Sequence, residues 1–174
     1  YLEEALTLTE DPLSLSGLYS VSGFNLVDWG QYPQGKAHFD KAVDYGRQAG
    51  NDRRLVWALG VGALGHIGTG DYDRAEAWLR EALALVEELR WVSFRPWPMA
   101  LFAETRLRAG APPRELQAGL EEAFALACEL RDPCWESQAA RILALTFAAR
   151  REHDKAAAWF EEARHRCIRE TDVY

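Results

Sequence analysis

With 174 residues, 48% of them apolar and 27% charged, the chain can bury a full core and has the balance of an ordinary soluble globular protein. Its formal charge of −7 argues against direct nucleic-acid contact or an anionic membrane as the main partner. Three cysteines, Cys128, Cys134 and Cys167, fit no metal-ligand spacing, and no long apolar run or signal peptide is present, so the reading is a reducing, cytoplasmic setting.

In chain order, residues 1–10 read as the tail of a helix. Asp11-Pro12 then supplies a helix start, with Asp as N-cap and Pro at the first helical position. The same register point returns at Asn51-Asp52, Trp91-Val92, Asp132-Pro133 and Asp172-Val173. Four repeats of about 40 residues follow, over 11–50, 51–90, 91–131 and 132–171, with partial repeats at both ends. The expectation is a single repeat domain over 1–174, cut from a larger multidomain protein; Met99 is the one methionine, so Tyr1 is not expected to be a natural start.

Each repeat predicts two helices, A and B. In the second repeat, helix A spans about Arg53–Thr69 and helix B about Asp73–Arg90. Helix B sets Ala75, Trp78, Leu79, Ala82, Leu83, Val86 and Leu89 on one side, the i, i+3, i+4, i+7 stripe of an amphipathic helix. Its copy in the fourth repeat carries Ala156, Trp159, Phe160, Ala163 and Cys167, which makes Cys167 an expected core residue. Gly30–Tyr32 and Gly70–Tyr72 form the A–B turns, since glycine leaves a helix in the left-handed conformation at little cost. The small residues Ala42, Ala82, Ala123 and Ala163 let the two backbones approach closely. In the third repeat, Pro112-Pro113 replaces the Tyr turn and Leu116 stands at a small-residue position, so a wider or bent turn is expected there.

No constellation predicts catalysis, a cofactor or a metal. The run Gly30–Ala37 approximates a P-loop, but Asn25–Trp29 continues a helix, Pro33 stiffens the loop and Ala37 replaces the magnesium-binding hydroxyl. The acidic pairs Glu3-Glu4, Glu87-Glu88, Glu121-Glu122 and Glu161-Glu162, and the basic run Arg164–Arg169, read as solvated surface.

The positions Tyr19, Gly23, Leu26, Gly30, Tyr32, Gly35, Phe39 and Ala42, repeated as Leu59, Ala63, His66, Gly70, Tyr72, Ala75, Leu79 and Ala82, resemble the tetratricopeptide (TPR) pattern. The usual period there is about 34 residues, so the helices or inter-repeat turns are longer here. The resemblance implies an all-α, TPR-like helix-pair solenoid, a right-handed superhelix. It also implies packed imidazoles at His66 and His153, which fall where the family carries aromatic core residues. More narrowly, AFALACELRDPCWESQAARILAL…AWFEEARHRC resembles the TPR-like region of large bacterial LuxR-type, ATP-binding transcriptional regulators.

Carried over residue by residue, the concave-face positions of helix A are Phe24, Val27, Asp28, Trp57, Leu64, Ile67, Trp97, Glu104, Arg108, Gln138, Arg141 and Leu145. These would hold a protein, peptide or small effector in a non-catalytic sensor module of such a regulator. Trp91–Pro98, with three aromatics and an arginine in a proline-stiffened link, suits either a binding hot spot or packing between repeats. The alternative is a stand-alone TPR scaffold that mediates protein assembly or self-associates through its terminal repeats.

Overall fold

Helices dominate because almost every segment between turns carries one apolar stripe of helical period. The computed structural model describes residues 2–171, with side chains from 4 to 168. The register point Asp172-Val173 and the side chains of Glu3 and Arg169 lie outside them. The helices are α1 (Leu2–Thr7), α2 (Pro12–Asp28), α3 (Tyr32–Gln48), α4 (Asp52–Thr69), α5 (Tyr72–Glu88), α6 (Pro96–Arg108), α7 (Pro113–Leu130), α8 (Pro133–Ala149) and α9 (His153–Thr171). No strand occurs among the described residues. From α2 onward, the helices fall in pairs on the four expected repeats.

Three of the A helices start as the sequence predicts. The carboxylate of Asp11 accepts from the Ser14 amide at 2.9 Å, Asn51 Oδ1 from the Arg54 amide at 2.9 Å, and Asp132 Oδ1 from the Trp135 amide at 3.1 Å. The third repeat differs. A 3-10 turn, Val92–Phe94, comes first, and α6 begins only at Pro96 and runs 13 residues. Proline has no backbone N–H to give to a helix ladder and its ring is tolerated in a first helical turn, so Pro96 and Pro98 both fall in the opening turn of α6. The A–B turn is also longer here: 109–112 separates α6 from α7, whereas 70–71 separates α4 from α5.

A second periodicity lies in the turns. Within repeats, positive φ falls on Gly30, Gly70, Gly110 and then Arg151; between repeats it falls on Gly50, Arg90 and Arg131. Arginine holds a left-handed conformation at three places where glycine would sit without strain.

The chain forms two compact units, Tyr1–Arg90 and Trp91–Tyr174. In the first, α4 packs against both α2 and α3, and α5 packs on α4. Phe39 is fully buried between α2 and α4, at the two places where glycine leaves room: a Cβ on Gly23 would meet its ring at 2.9 Å and one on Gly62 at 3.0 Å. Ser16 Oγ donates to the Ala42 carbonyl at 2.8 Å, which ties α2 to α3. In the second unit, α8 packs against α6, α7 and α9. Its core joins Leu120, Ala123, Ile142, Leu143, Phe147 and Ala156. Leu116 sits in that core too, at the slot that Gly35 and Ala75 fill elsewhere.

Two expectations at the far end are corrected. Cys167 is exposed, although its counterpart Val86 is buried. His153 is exposed as the first residue of α9 rather than packed. Cys167 is open because α9 packs on α8 and, within the described residues, no further helix covers its other flank; His153 opens α9 at the place where Tyr32, which opens α3, is exposed too.

Opposite outcomes are expected for one kind of substitution at two glycines. Gly65→Ala drives a methyl to 2.9 Å from the Lys36 Cα and should destabilise by about 1–3 kcal/mol. Gly119→Ala, in the middle of α7 with nothing within 4 Å, should stabilise by roughly 0.5–1 kcal/mol. Urea unfolding of the two variants measures both.

Candidate functional site

In the first unit, the helix-A face presents Phe24 and Asp28 as exposed side chains on α2 and Trp57 and Leu64 as half-buried ones on α4. Val27 and Ile67, on the same turns, are buried and belong to the packing.

In the second unit, four of the sequence-selected residues form one polar network. Glu104 is buried on α6, 3% exposed, which a carboxylate tolerates only when it is paired. Arg108, one turn on, reaches its Oε1 with Nε at 2.9 Å and Nη2 at 2.8 Å. Arg141 on α8 bonds the same carboxylate through Nη1 at 3.4 Å and through Nη2 to the other oxygen, and its Nε donates to Gln138 Oε1 at 3.2 Å. Helical spacing supplies the first contact, i to i+4; the second needs α6 and α8 side by side. The side chains of Arg108 and Arg141 are 45% and 36% exposed, so one buried negative charge holds two partly exposed positive ones. Planar guanidinium groups oriented in this way suit a carboxylate or phosphate.

Trp97 is placed differently. It is buried, with its ring centroid 4.8 Å from that of Trp135, and the buried Phe94 meets Trp135 edge to face at 5.9 Å. Trp91 stacks on Phe94 at 5.0 Å, and Trp135 Nε1 donates to the Ser93 carbonyl at 3.0 Å. The segment 91–98 thus closes over the start of α8, and its aromatic rings serve that packing.

Other polar groups were not visible in the sequence as partners. Glu136 is buried and bonded by Arg166, which also donates to Glu162 with Nε at 2.8 Å. This corrects the reading of Arg166 as plain surface. The partners lie on different helices, 30 residues apart, so no local spacing marks them. The hydrogen bond it donates to Glu136 holds the Arg166 guanidinium well above its ordinary pKa. Burial pushes the nearby Cys128 thiol up as well, which keeps it protonated and poorly nucleophilic.

His66 is the packed imidazole that the sequence predicts. It lies edge to face on Trp78 at 4.4 Å, and its Nδ1 is 3.1 Å from Asp71 Oδ2, which also accepts from Lys36 Nζ at 2.9 Å. Burial lowers its pKa, against the opposing pull of the Asp71 hydrogen bond. His38, in an edge-to-face contact with Tyr19 at 5.5 Å, is shifted the same way by burial. The stretch 30–37 is the repeat's own turn and the opening of α3: Gly30 has φ 75°, α3 begins at Tyr32, and the helix α2 rather than a strand precedes it. No group of three or more metal-type ligands occurs among the described residues, and no helix among them is long and apolar enough to cross a membrane.

These helix pairs define an all-α, TPR-like helical-repeat solenoid fold. Solved structures share it. A Rap protein complexed with Competence and Sporulation Factor matches with TM-score 0.81 and 17% identity, over 95% of this chain and 46% of that one. The apo form of RapI matches at 0.75 and 13%, over 98% and 62%. BtubC (BKLC) from P. vanneervenii matches at 0.71 and 20%, over 98% and 70%. The chain therefore spans about half to two thirds of the two Rap structures. No protein-family profile matches the sequence, and no curated protein does.

A pH prediction follows from the two histidines. Their folded pKa values lie below the ordinary 6.5, so the folded form favours the neutral imidazoles. The unfolded chain takes up protons first as pH falls, so stability is complete above about pH 6.5 and declines below it. Urea midpoints at pH 7.5 and 5.5 should show this loss, and it should shrink in His66→Gln and shrink further with His38→Gln added.

Proposed function

We propose that this chain is a non-catalytic interaction module that binds a protein, peptide or small effector on its helix-A face, within a larger bacterial regulator of the LuxR-type, ATP-binding kind. In this reading 1–174 is one continuous array that acts in the cytoplasm. The observation that carries it is the buried Glu104, which holds Arg108 and Arg141 half-exposed on neighbouring A helices. Stability alone is a weak reason for such an arrangement, because apolar residues of similar volume often serve a core as well. Guanidinium groups held in place at a face suit an anionic group. Likeness to a Rap protein that was solved with a bound factor supports the same use of the fold. The resemblance of the C-terminal third to LuxR-type regulators supports the parent context, in which ligand binding would shift a larger protein between two arrangements.

A thermal-shift screen with short synthetic peptides, acidic ones included, tests the binding face. Arg141→Ala should remove the stabilisation by every hit while leaving helix content unchanged, since Arg108 still pairs Glu104. Trp97→Ala should instead lower stability by about 3–5 kcal/mol through lost packing. A hit that survives Arg141→Ala at full strength would move binding elsewhere. For the parent context, sequence flanking this segment in its gene should encode a P-loop ATPase upstream and a helix-turn-helix downstream; an open reading frame confined to these residues contradicts it.

A further inference from the structure

His66 is 1% exposed, and its two ring nitrogens are not equally served. Nδ1 lies 3.1 Å from Asp71 Oδ2. An ionised carboxylate only accepts, so the neutral ring carries its hydrogen on Nδ1 and leaves a bare lone pair at Nε2. That Nε2 is buried and has no hydrogen-bond partner. Facing it, 3.7 Å away, is a second carboxylate, Asp40 Oδ1 on α3. A lone pair opposite an acceptor gains nothing, whereas an N–H there would be a donor aimed at one. The ring sits between two acceptors, an arrangement that only the imidazolium satisfies at both ends.

The surrounding charges agree. Lys36 Nζ donates to Asp71 at 2.9 Å, and Lys36, Asp40 and Asp71 together carry one net negative charge, which a proton on His66 neutralises. On α5, Trp78 meets the imidazole edge to face at 4.4 Å, and Arg74 lies over that indole at 5.7 Å. Helix α2 also packs on α4, and its one charged side chain, Asp28, is exposed on the helix-A face. Packing alone does not call for an imidazole. The fourth repeat has Phe147 at the equivalent position, buried in its core.

We propose that His66 and Asp40 form a proton-operated latch between α3 and α4, the helices that join the first repeat to the second. A proton from solvent adds to the Nε2 lone pair, and the new N–H donates to Asp40 while the Nδ1–H stays with Asp71. The Asp40 side chain is 44% exposed, so it is free to turn by the roughly 1 Å that closes the contact and to relay the proton to the buried ring. In acid, α3 and the α4–α5 turn are then tied through one ring; at neutral pH only the Asp71 side of the ring is bonded. Burial opposes the charge and lowers the His66 pKa, so the latch closes below pH 6.5. Its closing offsets part of the stability that the folded form loses in acid. The latch lies within the first unit and uses none of Glu104, Arg108 and Arg141, so it stands or falls apart from the proposed binding face.

Long-range nitrogen-proton NMR of the histidine rings in the full chain, from pH 7.5 downward, is the test. His66 should show the Nδ1–H form at the start and gain an Nε2–H as pH falls, while the backbone resonances remain those of the folded chain. Asp40→Asn changes an exposed side chain, so the variant should fold. It should move the His66 titration about half a pH unit lower, a roughly threefold weaker hold on the proton. The same variant should lose more stability than the wild type between pH 7.5 and 5.5, because its folded pKa lies further below the unfolded one. An imidazole that stays neutral until the chain unfolds overturns the proposal. So does a ring that already carries its hydrogen on Nε2 at pH 7.5, or a titration that Asp40→Asn leaves in place.

Discussion

A helix pair cannot bury its own apolar stripes, and in a chain built of such pairs every stripe must find another helix at close range. The rest of the structure depends on that constraint. Phe39 shows how it is met: the ring lies between α2 and α4, and Gly23 and Gly62 bring both backbones near enough to enclose it. The second unit solves the same problem with more volume, setting Leu116 and Leu143 in the core where the first has Gly35 and Gly62. Close approach by glycine and filling by leucine are alternative answers to one packing demand. Where a neighbouring helix is missing, the same positions stay open, as Val21 and Phe160 do.

Packing of this kind leaves polar groups stranded unless partners come from the next helix. Glu104, Glu136 and His66 are all nearly inaccessible, and each is paired across helices or across the A–B turn, with Arg141, Arg166 and Asp71. The Arg166 side chain that pairs Glu136 is 21% exposed, whereas the Arg108 and Arg141 side chains that pair Glu104 are 45% and 36% exposed. On the proposed reading, that difference sets a buried charge that serves the fold apart from one that orients donors outward.

The repeat boundaries, the helix pairs and three of the four A-helix starts were legible because they rest on local signals: Asp-Pro and Asn-Asp caps, Gly turns and a stripe of period 3.6. The α6 start was displaced because two prolines outweighed the repeat register. Arg90, Arg131 and Arg151 escaped notice because their left-handed backbone is set by position in the repeat and leaves no mark in residue type. Of the candidate site, Glu104 with Arg108 could be read from i, i+4 spacing. Its joining to Arg141, like that of Glu136 to Arg166, depends on which helices lie side by side. Trp97 was readable as an aromatic in a stiff link, but its burial against Trp135 was not, since the partner begins another repeat.

If the Arg108–Glu104–Arg141 group is an outward-facing recognition element, an acidic ligand must engage both arginines at once. Nitrogen-proton NMR of arginine side chains, with a pool of short acidic peptides titrated in, tests it most directly. The Nε resonances of Arg108 and Arg141 should shift together and saturably, while that of Arg166, paired with Glu136, stays in place. Shifts spread evenly over the exposed arginines, with no saturation at Arg108 and Arg141, would contradict it.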